Sequence, residues 1–320
     1  MDRRRAIGLI GALPAAALAA GQGRAGPASS AKRLRMAVVG LGRAAEDDRF
    51  DAVHLCLPVG LHAEYAELSL AAGKHVLCEK PLAATAAEAR RLMRAASKAE
   101  LVLMPAYRAK YSNVLPHALG RVADLGTIVS IDAHKGFRMT LPPGNWRFDP
   151  ALSGGGSLYD IGPYSLQLTR WVAGGLPKRV TAMVIDDDTD ERFKRVEPHA
   201  TWIMEFGNGV HATGSASWRY QLQNRLRIGT SHAWIDLEPA TPAIGERLRI
   251  AHADPPRVEE PTLPLLDQLP TMYDDFAVAA MEGSAPRVTA ADGLADLVVI
   301  EAIKESARNR AAPVVLSAEA

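Results

Sequence analysis

Two short stretches carry side chains whose types and spacing suit ligand binding and proton exchange. The first runs from Gly73 to Pro81, where an apolar strand, His75 to Cys78, ends in Glu79, Lys80 and Pro81. In an open α/β sheet, ligands bind in the crevice beyond the carboxyl ends of the strands, so a carboxylate and an ammonium there stand at a site. Pro81 cannot continue the ladder and biases Lys80 towards extended backbone, which fixes the direction of its side chain. The same residues also read as a solvated pair at a loop start, because exposed charge is usual at strand ends. The second stretch is Gly154, Gly155, Gly156, Ser157, Leu158, Tyr159, Asp160, Ile161, Gly162, Pro163, Tyr164. Three glycines let backbone approach something closely, and two ionisable groups follow four residues apart. On one helix Asp160 and Tyr164 would share a face, with Cβ atoms about 6 Å apart. A helix starting at Pro163 would instead leave Asp160 in the preceding turn, as a cap.

The elements that must hold these residues fall into two parts. Leu34 to Val39 is a short apolar strand running into Gly40 and Gly42, a turn of the kind that brings backbone to a pyrophosphate. The acid expected about 20 residues later is missing, since that distance falls near Gly60 and His62. A second strand, Ala52 to Leu57, follows almost at once. Pro58 to Gly73 reads as loop and helix, completing a βαβ unit with the His75 strand. Thr85 and Glu88 form a capping box that opens a helix to about Ala99, and a strand follows at Leu101 to Met104. The first part is therefore a short parallel sheet.

From Gly126 the pattern changes to strands: Thr127–Ala133, Val180–Ile185 and Trp202–Phe206, with Asn208-Gly209 marking a hairpin into Val210–Trp218. In that last strand His211, Thr213, Ser215 and Ser217 alternate with Val210, Ala212, Ala216 and Trp218, so one face should be wet and one packed. Leu226–Ile228, Ala233–Leu237 and Leu248–Ala251 extend the sheet. Helices follow at Met272–Met281 and from a capping box at Thr289 and Asp292 to Asn309.

The 320-residue chain has room for two cores, and its net charge of +1 offers no basic field for nucleic acid. Its 2 cysteines, Cys56 and Cys78, sit in apolar runs and read as free thiols better than as a cross-link between neighbouring strands, and its 9 histidines show no metal-ligand spacing along the chain. Arg3, Arg4 and Arg5 precede a weakly apolar segment that ends in small residues. That pattern reads as an export signal over 1–24, of the twin-arginine kind, and places the mature chain in the periplasm or outside the cell with no membrane attachment. Residues 25–33 read as a linker or arm.

Taken together and in this order, the Glu79-Lys80-Pro81 strand end and the Gly154 to Tyr164 segment resemble the Gfo/Idh/MocA oxidoreductases, and within them the glucose-fructose oxidoreductase branch. The resemblance covers nearly everything after residue 33. It implies α/β plus α+β architecture: a shortened Rossmann-type NAD(P)-binding domain over 34–112, then a substrate and oligomerisation domain over 113–320 built on a larger, open-faced, mostly antiparallel sheet with C-terminal helices. Relative to the family the chain lacks the segment that holds the first helix and the second and third strands, which normally cradle adenosine. Val59 and Ala106 stand where the family usually has asparagine and glycine. The resemblance implies hydride transfer between NADP (or NAD) and a sugar or polyol, with Tyr164 exchanging a proton, Lys80 positioning the sugar and assisting Tyr164, and Asp160 binding a hydroxyl or orienting Lys80. Gly40, Gly42, Pro58, His62, Glu79, Lys80, Trp146 and Arg147 would line the cofactor. A homo-oligomer is expected, and a non-catalytic relative that binds sugar-like ligands is the alternative.

Overall fold

Strands buried on both faces read as largely apolar runs, and three of the four in the first part behave so, the edge strand being exposed at Val38. In the computed structural model, β1 (Met36–Val39), β2 (Ala52–Leu55), β3 (His75–Cys78) and β4 (Leu103–Pro105) pair in parallel in that order. Residues 34–39, 47–220 and 222–317 are described and lie within one compact unit. The expected export signal (1–24), the arm (25–33), Gly40 and Gly42 lie outside the described residues.

Between β2 and β3 runs α1 (Val59–Ala71), which buries Val59, Ala63, Ala66 and Leu70. Between β3 and β4 runs α2 (Ala86–Ala99), which buries Ala89, Leu92 and Ala96. Its N-terminus is closed as expected: Glu88 N–H donates to Thr85 Oγ1 at 3.1 Å and Thr85 N–H to the Glu88 carboxylate at 3.1 Å. β1 is an edge strand, its Val38 exposed, and among the described residues no strand lies outside it.

Two short helices, α3 (Val114–Gly120) and α4 (Val122–Leu125), lead into β5 (Ile128–Phe137). Next come α5 (Pro150–Ser153), α6 (Ser157–Asp160) and α7 (Gly162–Ala173). The strands β6 (Arg179–Ile185), β7 (His199–Glu205), β8 (His211–Ser217), β9 (Leu222–Thr230), β10 (Ala233–Leu237), β11 (Leu248–His252) and β12 (Arg257–Glu259) follow, then α8 (Gln268–Glu282), α9 (Ala290–Arg308) and β13 (Val314–Val315). The second sheet has 9 strands in the order β12-β11-β10-β9-β5-β8-β7-β6-β13, antiparallel throughout except for β5 beside β8. α7 packs on β5 and β8, and α9 packs on β6 and reaches across to α2 and β4.

Several local expectations shift. The Gly154 to Tyr164 segment is two helices broken at Ile161, because Pro163 takes the first turn of α7 and leaves Asp160 to end α6. The wet face of β8 is wet only at His211 and Thr213; Ser215 and Ser217 are 1% and 0% exposed, and Ser215 Oγ is bonded to His134. α8 starts four residues before the expected Met272, capped by Asp267, whose carboxylate accepts from Leu269 N–H at 3.1 Å.

Candidate active site

The cleft between the two sheets is closed on one side by a backbone contact that only glycine permits. A Cβ at Gly60, in the first turn of α1, would collide with the Ala151 carbonyl oxygen of α5. That approach sets the start of α1, just past the carboxyl end of β2, against α5 and the glycine loop that follows it. The loop itself is held from behind by Glu197, ahead of β7. One oxygen of its carboxylate accepts from Gly156 N–H at 2.7 Å and Leu158 N–H at 3.0 Å, and its own carbonyl accepts from Ser157 N–H at 2.9 Å. Gly156 is required here, because a Cβ would meet the Glu197 carbonyl oxygen. Burial pushes the Glu197 pKa up, against the pull of those amides.

Within this frame Lys80, Asp160 and Tyr164 converge. The Lys80 ammonium donates to the Asp160 carbonyl oxygen, lies 3.7 Å from the Asp160 carboxylate and stands 5.2 Å from the centre of the Tyr164 ring. Asp160 also accepts from Trp218 Nε1–H at 3.2 Å and lies 3.8 Å from Arg147 Nε. It is thus an acceptor held by one hydrogen bond and flanked by two cations, suited to orienting an ammonium and a ligand hydroxyl.

Two cations not singled out in the sequence complete the surroundings of Tyr164. Lys135, on β5, places its ammonium 5.1 Å from the ring centre, and the Arg108 guanidinium lies 5.5 Å from it. Both are braced by the segment after β10: Lys135 donates to Thr241 Oγ1 at 2.9 Å, and Arg108 donates to the carbonyls of Thr241 and Pro242 and to Gln268 Oε1. Burial, reinforced by the charges of Arg108 and Lys80, pulls the Lys135 pKa down to about 8. The strand β5 offered one signal in the sequence, a lysine at a position whose neighbours alternate inward, but nothing tied it to Tyr164.

The remaining candidates divide. Trp146 and Arg147 form a short turn beside the cleft, with Arg147 stacked 4.5 Å over the Trp146 ring and aimed at Asp160. Pro58 precedes α1 as its N-cap, near the ends of β2 and β3. Glu79 follows β3, its N–H bonded to the Leu55 carbonyl at 3.0 Å. Burial alone would raise its pKa, but His54 and Lys80 outweigh burial and hold it below the usual range. His62 does not face the cleft. It is 0% exposed, with one ring nitrogen 2.8 Å from the Pro81 carbonyl and the other 2.8 Å from the Leu57 carbonyl, so it ties the loop after β2 to the loop after Lys80. Burial lowers its pKa.

Known proteins match both parts of the chain. Residues 16–107 match the profile of an oxidoreductase family with an NAD-binding Rossmann fold, and residues 119–236 match the GFO/IDH/MocA C-terminal domain. The chain is 32% identical over 270 residues to D-xylose 1-dehydrogenase (NADP(+)) 2 of Haloferax volcanii, covering 83% of this chain and 81% of that protein. Aldose-aldose oxidoreductase from Caulobacter crescentus, solved with glycerol, superposes with a TM-score of 0.80 at 34% identity, over 86% of this chain and 82% of that one. A 3-ketoreductase from Actinomadura kijaniata, solved with NADP and TDP-benzene, superposes with a TM-score of 0.76 at 26% identity, over 83% of this chain and 81% of that one.

Proposed function

The chain belongs to the Gfo/Idh/MocA oxidoreductases, and on that premise we propose that it moves a hydride between NADP (or NAD) and a hydroxyl or carbonyl of a sugar or polyol. The observation that carries this reading is the convergence of Lys80, from the end of β3, with Asp160 and Tyr164, from α6 and α7 beside the second sheet. Bound nicotinamide supplies the hydride acceptor or donor, and the protein supplies position and charge.

Sugar oxidation releases a hydroxyl proton together with the hydride, and Tyr164 takes that proton, returning it when a carbonyl is reduced. Lys80, Lys135 and Arg108 surround the phenol with positive charge and stabilise it when it carries negative charge. Asp160 accepts from a sugar hydroxyl or from Lys80, and its bond from Trp218 fixes the carboxylate plane.

Glu79, Lys80, Pro58, Trp146 and Arg147 fit the nicotinamide end of a dinucleotide. The adenosine end is different. The free edge of β1 means that, among the described residues, no outer strand stands where the family cradles adenosine. This edge favours a second reading, a relative that binds sugar-like ligands with little or no turnover. Domains meeting at residue 112, export through the twin-arginine route to the periplasm and assembly as a homo-oligomer belong to the same proposal and rest on the sequence pattern.

Steady-state assays with D-xylose and NADP, with Tyr164→Phe as control, test the first reading. We expect turnover in the wild type and a loss of at least about 10²-fold in the variant, the scale of one general acid-base group. Equal turnover in both proteins refutes the role of Tyr164. Calorimetric titration with NADP separates the two readings: weak binding is expected from a half cradle, and tight 1:1 binding shows that the free β1 edge does not limit cofactor affinity.

A further inference from the structure

At the carboxyl ends of β2 and β3, beside the cleft, His54, Cys56 and Glu79 bring one donor atom each within 4.8 Å of one another. Residues 54 and 56 are two apart along an extended segment, so both side chains point to one side, and Glu79 follows the neighbouring strand. His54 is 4% exposed, and its Nε2 has no hydrogen-bond partner. That nitrogen lies 3.7 Å from Glu79 Oε1, beyond a hydrogen bond. A buried orphan nitrogen aimed at a carboxylate and a thiol needs something between them.

We propose that His54, Cys56 and Glu79 form a site for one borderline divalent cation of the Zn²⁺ type, with a fourth position open to solvent. The donor set of imidazole, thiolate and carboxylate is one that Zn²⁺ accepts in a tetrahedral site. Bond lengths of about 2.0–2.1 Å to nitrogen or oxygen and about 2.3 Å to sulfur place tetrahedral donors about 3.3–3.6 Å apart. The His54 to Glu79 separation is close to that already, and the trio closes on an ion with side-chain shifts of about 1 Å or less. Charge also balances, since a thiolate and a carboxylate neutralise the ion in a partly buried place.

The second shell is present. His54 Nδ1 lies 2.9 Å from the Tyr273 hydroxyl of α8, which packs edge-on to the imidazole at 5.6 Å. With Nδ1–H donating to that oxygen, the tautomer leaves Nε2 free for metal, the usual support for a ligating histidine. Cys56 is exposed and reachable, whereas Cys78, the other cysteine of the chain, is fully buried and its thiol faces the Leu82 carbonyl. A bound cation would tie the ends of β2 and β3 together next to Lys80.

Titration of the untagged, reduced, metal-free full-length chain with Co²⁺ tests this. One equivalent should bind with a thiolate-to-cobalt charge-transfer band and tetrahedral ligand-field absorption, and Zn²⁺ should bleach both. Cys56→Ser, at an exposed position, should abolish the charge-transfer band and weaken Zn²⁺ binding at least tenfold; Tyr273→Phe should weaken it on the order of tenfold, as loss of a supporting partner does. Absence of a thiolate band in the wild type, or undiminished Zn²⁺ affinity in Cys56→Ser, overturns the proposal.

Discussion

Replacing Glu197 by alanine should uncouple the glycine loop from β7 and disable the site without touching any residue in the cleft. In the native chain one carboxylate oxygen satisfies the Gly156 and Leu158 amides, at 2.7 and 3.0 Å. Alanine leaves both N–H groups without that acceptor, at about 1–3 kcal/mol each, so a loss of about 2–6 kcal/mol in unfolding free energy is expected. The loop leads directly into Asp160 and Tyr164, and a displacement of about 1 Å at a reacting group costs on the order of 10²-fold in rate. Glu197→Gln keeps an oxygen that can accept both amides and removes the charge that burial opposes, so it should retain most of the stability and the activity. The pH dependence gives a second check. A carboxyl whose folded pKa lies above its unfolded value binds its proton more strongly when folded. Its contribution is therefore fully present below the unfolded pKa and is lost as pH rises through the folded one. The glutamine variant should lack that decline. Urea unfolding followed by tryptophan fluorescence, at several pH values, with turnover measured in parallel, reads all of this. An alanine variant with an unchanged midpoint and unchanged turnover would show that Glu197 does not hold the loop.

Lys135 should titrate in the native protein near pH 8, well below its ordinary value, because burial and two neighbouring cations disfavour its charge. Between about pH 8 and 10.5 the unfolded chain holds a proton that the folded chain has lost, so Lys135 makes stability rise with pH by at most about 3 kcal/mol. Lys135→Met should remove that rise, seen as converging urea midpoints of variant and wild type towards pH 10; parallel curves would contradict it. Asp296 is fully buried and ion-paired with Arg170, 2.7 Å away, linking α9 to α7. Asp296→Ala leaves a buried guanidinium without its partner and should cost about 3–5 kcal/mol by the same unfolding assay.

Much of the fold was legible because its signals are local. The largely apolar runs of β2 and β3, the Thr85–Glu88 and Thr289–Asp292 capping boxes, and the Asn208-Gly209 turn each depend on a few adjacent residues, and each formed where expected, β2 ending at Leu55 rather than Leu57. The Lys80 strand end and the Asp160 to Tyr164 segment were legible for the same reason: a proline that stops a strand and glycines that admit a close backbone contact are sequence-local constraints.

Tertiary structure alone decided which distant residues meet them. The parallel pairing of β5 with β8 places Trp218 behind Asp160 and Lys135 beside Tyr164, and no periodicity in either strand specifies its neighbour. Arg108 is braced by Thr241 and Gln268, more than a hundred residues away, and Glu197 reaches back some forty residues to Gly156. The family resemblance implied that His62 lines the cofactor, yet packing buries it between two carbonyls, while His54, an inconspicuous strand residue, is left with an orphan nitrogen beside Cys56 and Glu79. The physical reason is common to all of these. Backbone conformation follows from short-range sterics and hydrogen bonding, but the partners of a side chain follow from strand order and helix packing, which the whole chain determines together.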